Sequence, residues 1–108
     1  MKFKEFLNEM ANLNPEMTGI PFTIWVSVGL GVRHGPRIKV SKGPKFKKDD
    51  HVTITIGKIP IVIGDGISQD DLAQISQWIN LNKPTLLQFW ENEISSTTLK
   101  NNIKKVEN

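Results

Sequence analysis

Three stretches of alternating apolar and polar residues constrain this chain more than any other feature. Phe22-Thr23-Ile24-Trp25-Val26-Ser27-Val28 sends Phe22, Ile24, Val26 and Val28 one way, and Thr23, Trp25 and Ser27 the other. Arg37-Ile38-Lys39-Val40-Ser41 repeats the pattern with Ile38 and Val40 inward, and His51 to Ile56 repeats it with Val52, Ile54 and Ile56 inward. Successive strand residues point to opposite faces, so three such stretches specify a sheet with one buried and one polar face. Gly29-Leu30-Gly31 turns the chain after the first, and the polar run Lys42 to Asp50 joins the second to the third. Gly57-Lys58 places glycine first in a two-residue turn, which predicts a type II′ hairpin into a fourth strand over 59–63. Pro60 cannot donate to a ladder, so that strand belongs at an edge.

The flanks read as helical. Phe3, Phe6, Leu7, Met10 and Leu13 recur at three- and four-residue steps, which predicts a helix over 2–13 closed by Asn14-Pro15, with a loop over 16–21. After Gly64-Asp65-Gly66, Ser68 stands as an N-cap with Asp71 three residues on, and Leu72, Ile75, Trp78 and Ile79 form an apolar stripe. Asn80 to Pro84 reads as a break, with Pro84 in the first turn of a new helix carried by Leu86, Leu87, Trp90 and Ile94. A last helix starts near Ser96 and is carried by Leu99, Ile103 and Val106. Strands followed by helices predict an α+β fold. The expectation is an antiparallel sheet of three to four strands, with an N-terminal helix and two to three C-terminal helices packed on one face. At 108 residues the chain is read as a single domain, with its sheet in 22–63 and its helical part in 68–106.

Composition removes several chemistries. There is no cysteine, which excludes disulfides, thiolate metal sites and a cysteine nucleophile, and no tyrosine, which excludes phenolic acid–base work. The longest apolar run, Ile59 to Ile63, contains Pro60 and falls short of a signal peptide or a membrane span. These features make a cytoplasmic protein with no membrane partner the expectation.

Charge is sharply uneven. Arg33, Arg37, Lys39, Lys42, Lys45, Lys47 and Lys48 fall within residues 33–48, which hold no acid. The net charge is only +3, because the other seven basic residues stand against all eleven acids. Gly35-Pro36-Arg37-Ile38-Lys39 is echoed by Gly43-Pro44-Lys45-Phe46-Lys47, so basic residues are expected to project at every second position of two extended segments. Alternation puts two cations (Arg37, Lys39), one aromatic (Trp25) and five hydroxyls on the polar sheet face. Cations meet phosphates and an aromatic ring stacks on a base. The plainer alternative is a solvated face whose tryptophan is covered by the N-terminal helix.

Catalytic signals are weaker. His34 and His51 are the two histidines, and with Arg37 and Lys39 nearby they are candidates for metal-free acid–base cleavage of RNA. The alternative is that both cap or line turns. A metal site from His34, His51 and Asp49 or Asp50 has too few nitrogen ligands to be favoured, so neither metal nor cofactor is expected. Gly29-Leu30-Gly31 opens no helix and is a turn, not a dinucleotide loop.

The run His34-Gly35-Pro36-Arg37-Ile38-Lys39-Val40 comes after Ile24-Trp25-Val26-Ser27. It is followed by Trp78-Ile79-Asn80-Leu81-Asn82 and Phe89-Trp90. Together these segments resemble a family of small uncharacterised bacterial and phage proteins. The resemblance spans about residues 22–95 and implies a shared fold, with no activity attached. More remotely, the order of elements is similar to small domains of unknown function proposed as toxin–antitoxin components; those carry a His-Phe-His stretch where this chain has His34-Gly35-Pro36-Arg37.

The reading favours a binding module for an anionic partner, with nucleic acid the leading candidate, and leans away from an enzyme. Arg37 and Lys39 would hold phosphate and Trp25 would stack, with Arg33 a further ligand-binding candidate. Lys42, Lys45, Lys47 and Lys48 would steer the ligand. The alternatives are a ribonuclease-like toxin using His34 and His51, and a protein-interaction module or homo-oligomer in which the acidic stretch from Asp65 to Glu93 pairs with the basic segment.

Overall fold

The computed structural model describes residues 10–29, 35–47 and 49–107. Among these, five strands form one antiparallel sheet: β1 (Met10–Leu13), β2 (Phe22–Ser27), β3 (Arg37–Lys42), β4 (Val52–Thr55) and β5 (Val62–Ile63). Their spatial order is the chain order, β1-β2-β3-β4-β5. A four-residue helix α1 (Pro15–Thr18) lies between β1 and β2, and the helices α2 (Gln69–Trp90) and α3 (Ser96–Asn102) follow the sheet. None of the described helices is long and apolar enough to cross a membrane.

The three alternating stretches are β2, β3 and β4. Their inward residues line up across the ladder: Ala11 on Val26 on Ile38 on Ile54, and Leu13 on Ile24 on Val40 on Val52. All are buried, and they share one core cluster with Ile75, Trp78, Ile79, Leu86 and Phe89 of α2 and Leu99 of α3.

The sheet has five strands where three to four were expected. The extra strand is β1, on residues predicted as the end of a helix. Met10-Ala11-Asn12-Leu13 satisfies both periodicities, and antiparallel pairing with β2 settles it by burying Ala11 and Leu13 while Met10 and Asn12 stay exposed. The rest of the predicted helix, residues 1–9, lies outside the described residues. Asn14-Pro15 opens a helix instead of closing one. The Asn14 side chain accepts a hydrogen bond from the Met17 amide at 3.0 Å, with Pro15 in the first turn. Gly19, at φ 78°, ends that short helix.

The fourth predicted strand does sit at the edge, but only Val62 and Ile63 of it pair. Gly57 does not take the positive φ that a type II′ turn requires. The connection is wider. The Thr55 amide donates to the Ile61 carbonyl at 3.0 Å, and the Ile61 amide donates to the Thr55 hydroxyl at 2.9 Å.

The predicted break at 80–84 is absent: α2 runs 22 residues through Pro84. Proline removes one amide donor, and the carbonyl left without it belongs to Asn80, an exposed residue. Ser68 caps α2 as expected, its hydroxyl accepting from the Asp71 amide at 3.1 Å. The C-terminal part departs from expectation too. The helix at Ser96 stops at Asn102, where Ile103 turns extended, and 103–107 form a tail outside any helix or strand. Buried Asn82 clasps that tail. Its Oδ1 accepts from the Lys104 amide at 2.7 Å, and its Nδ2 donates to the Lys104 carbonyl at 2.9 Å and to the Trp78 carbonyl at 3.1 Å. Val106, buried in the core, is set by the tail and not by a helix.

Candidate functional site

On the face opposite the core, the ladder aligns one residue from each strand: Asn12, Trp25, Lys39, Thr53 and Ile63. Beside this row Met10 pairs with Ser27, and Arg37 pairs with Thr55. Directly opposed side chains on one face are neighbours, so Lys39 stands next to the Trp25 indole. Trp25 is half-buried and Lys39 exposed. The indole Nε1 of Trp25 donates to the Met10 sulfur at 3.2 Å, which fixes the ring against β1.

The loop after β3 folds over one end of this face. Ser41 anchors it: its hydroxyl accepts from the Lys47 amide at 2.9 Å and donates to the Asp50 carbonyl at 3.1 Å. Thr23 adds a hydrogen bond to the Gly43 carbonyl at 2.7 Å. Both hydroxyls are buried, so two of the five expected on the polar face hold the loop and are not available to a ligand. The second copy of the Gly-Pro near-repeat is this loop, not an extended segment. Its Phe46 occupies the place that Ile38 has in the first copy. It lies on Trp25 instead of in the core, with ring centroids 5.0 Å apart and planes tilted by 47°. His51 continues the tier, 5.3 Å from Phe46.

At the other end of the face is a cavity of about 290 Å³. Met10, Trp25, Val28 and Trp90 give it apolar walls; Ser27 and Thr53 add hydroxyls, and Arg37 and Lys39 add cations. Among the described residues no carboxylate lines it. Trp90 comes from the last residue of α2, and its carbonyl accepts from the Gly29 amide at 2.9 Å. A side chain at position 29 would run into the Trp90 ring, so glycine is needed there for close approach and not merely for a turn. Arg37 is half-buried, and its Nε donates to the Gly35 carbonyl at 3.3 Å.

The structure therefore brings together Trp25, Arg37 and Lys39 from the residues nominated by sequence. Lys45 and Lys47 are exposed on the adjoining loop. Lys42 departs from expectation. It falls on the opposite parity to Arg37 and Lys39, and its Nζ lies 3.6 Å from the Asp71 carboxylate in the first turn of α2. There it lines a smaller cavity of about 170 Å³ with His51, Asp50, Asp65 and Asp71. Arg33, His34 and Lys48 lie outside the described residues. The suggested acid–base pair thus has one described member, His51, half-buried against Phe46. Among the described residues no three His, Asp or Glu side chains form a group able to hold a metal ion.

Sequence reasoning missed Met10, Phe46 and Trp90. A signal existed for one: Gly29 directly after a strand marks a place where a bulky group approaches the backbone. Comparison with protein-family models, with curated proteins and with solved structures finds no match for this chain.

Proposed function

We propose that the open face of the sheet binds single-stranded nucleic acid. The observation that carries this reading is the placement of Trp25, with Phe46 5.0 Å away, on the same face as Arg37 and Lys39. Aromatic side chains take bases by stacking without regard to sequence, and cations beside them take the backbone. A single strand offers base faces to such a surface, whereas a duplex keeps them stacked. The helices support this choice. Among the described residues, α2 and α3 pack on the core face and leave the other face to the ligand, and the first turn of α2 holds Asp70 and Asp71, which repel phosphate. Arg37 and Lys39 contact phosphate, Trp25 and Phe46 stack, and Lys45 and Lys47 raise the local potential. Contacts of this kind set affinity more than sequence readout.

The test is a fluorescence-anisotropy titration with labelled single-stranded RNA, single-stranded DNA and duplex DNA. It runs at low and moderate salt beside the Arg37→Ala/Lys39→Ala variant. The expected result is preference for single strands, weakening with salt, and a loss of about tenfold or more in the double variant. No binding to any probe at low salt overturns the reading. Cleavage of the probe would replace it with the ribonuclease alternative.

A further inference from the structure

We infer that the cavity between Trp25 and Trp90 receives one unstacked base of the bound strand. This rests on the proposed role of the open face and adds a particular subsite to it. At about 290 Å³ the cavity lies near the lower end of the roughly 300–1,000 Å³ typical of small-molecule sites. That suits one planar ring system with part of its sugar, and not an extended chain. The walls match such a guest. Trp25 and Trp90 supply indole surface, and Met10 a polarizable thioether. Ser27 and Thr53 supply hydroxyls that both donate and accept, so they can meet the edge of any base. Arg37 and Lys39 also line the cavity, so a base seated there would carry its flanking phosphates to both cations. Among the described residues the lining carries two cations, Arg37 and Lys39, which fits an anionic guest.

The site is distinct from the Trp25–Phe46 tier. That tier pairs Trp25 with Phe46 of the loop after β3, whereas the cavity has Trp90 of α2, held against Gly29, in its lining. A base on the tier would survive filling the cavity; a base within the cavity would not.

The experiment fills the cavity and leaves the tier alone. Ser27→Phe is titrated with a single-stranded DNA oligomer and with the same oligomer built from abasic sugar-phosphate units, alongside the unaltered protein. Loss of one stacked base weakens binding by about fivefold to a hundredfold. The expected result is a loss of that size on the base-bearing strand only, with the abasic strand bound as before. Unchanged affinity for the base-bearing strand overturns the inference, and so does an equal loss on both strands. In either case the unaltered protein still binds the strand, so the reading of the face stands. If the unaltered protein binds neither oligomer, the face itself is misread and the inference falls with it. Should Ser27→Phe fail to fold by circular dichroism, Thr53→Phe fills the same cavity from β4 and is read by the same outcomes.

Discussion

Gly29 and Asn82 each hold a position that no other side chain reproduces. At Gly29 the backbone meets the Trp90 ring, and even one added methyl overlaps it. Gly29→Ala is predicted to destabilise the fold by about 1–3 kcal/mol, the usual cost of forcing extra volume into a packed contact. It should also shift Trp90 emission, because the ring has to move; an unchanged urea midpoint and spectrum would refute the contact. Asn82 acts through hydrogen bonds. Asn82→Ala leaves both the amide and the carbonyl of Lys104 without their partner. A buried group left unpaired costs about 1–3 kcal/mol, so a loss of about 2–3 kcal/mol is expected, with faster amide exchange at Lys104. Stability within error of the parent would show that the tail is held by Val106 alone. Trp78 carries a cost of its own, since its buried Nε1 has no hydrogen-bond partner among the described residues.

At the scale of elements, Pro84 tests what holds α2 together. A proline inside a helix is about 3 kcal/mol worse than alanine. Pro84→Ala should therefore raise the thermal midpoint, with a gain of about 1–3 kcal/mol; a lower midpoint would mean that the proline serves the packing. Local propensity at Asn80 to Pro84 argues for a break and so for two helices, where the structure has one. Ile79 and Leu86, both buried in one core, bridge the gap. The strands were legible because alternation is a property of neighbours: β2, β3 and β4 fall on the stretches that alternate. Met10 to Leu13 was ambiguous because four residues fit either period, and pairing with β2 lies beyond local pattern. The same division runs through the site. Trp25, Arg37 and Lys39 share a face by parity, which sequence displays. Phe46 reaches that face through a loop pinned by Ser41, and Trp90 through the end of a distant helix, neither of which any spacing encodes.

For the whole molecule, the uneven charge becomes a measurable slope. Single-strand affinity falls with salt at about 0.7 per neutralised phosphate on logarithmic axes. Removing Arg37 and Lys39 together should reduce that slope by about 1.4. Lys42→Ala should leave it nearly unchanged, because its partner is Asp71 and it lies away from the face. Equal slope changes from both variants would show that binding follows overall charge and not the sheet.

The strand order has a kinetic consequence. Among the described strands every ladder joins neighbours in the chain, so each closes over a short separation. Topologies built from such local contacts reach their transition state quickly for a β-rich protein. The tail is the exception. Its clasp on Asn82 and its Val106 amide on the Thr18 carbonyl, at 2.9 Å, join the last described segment to one of the first. Closure of that long loop is the natural late event of folding: the ladders of the sheet zip between neighbours first, and the latch onto Asn82 and Thr18 comes after them.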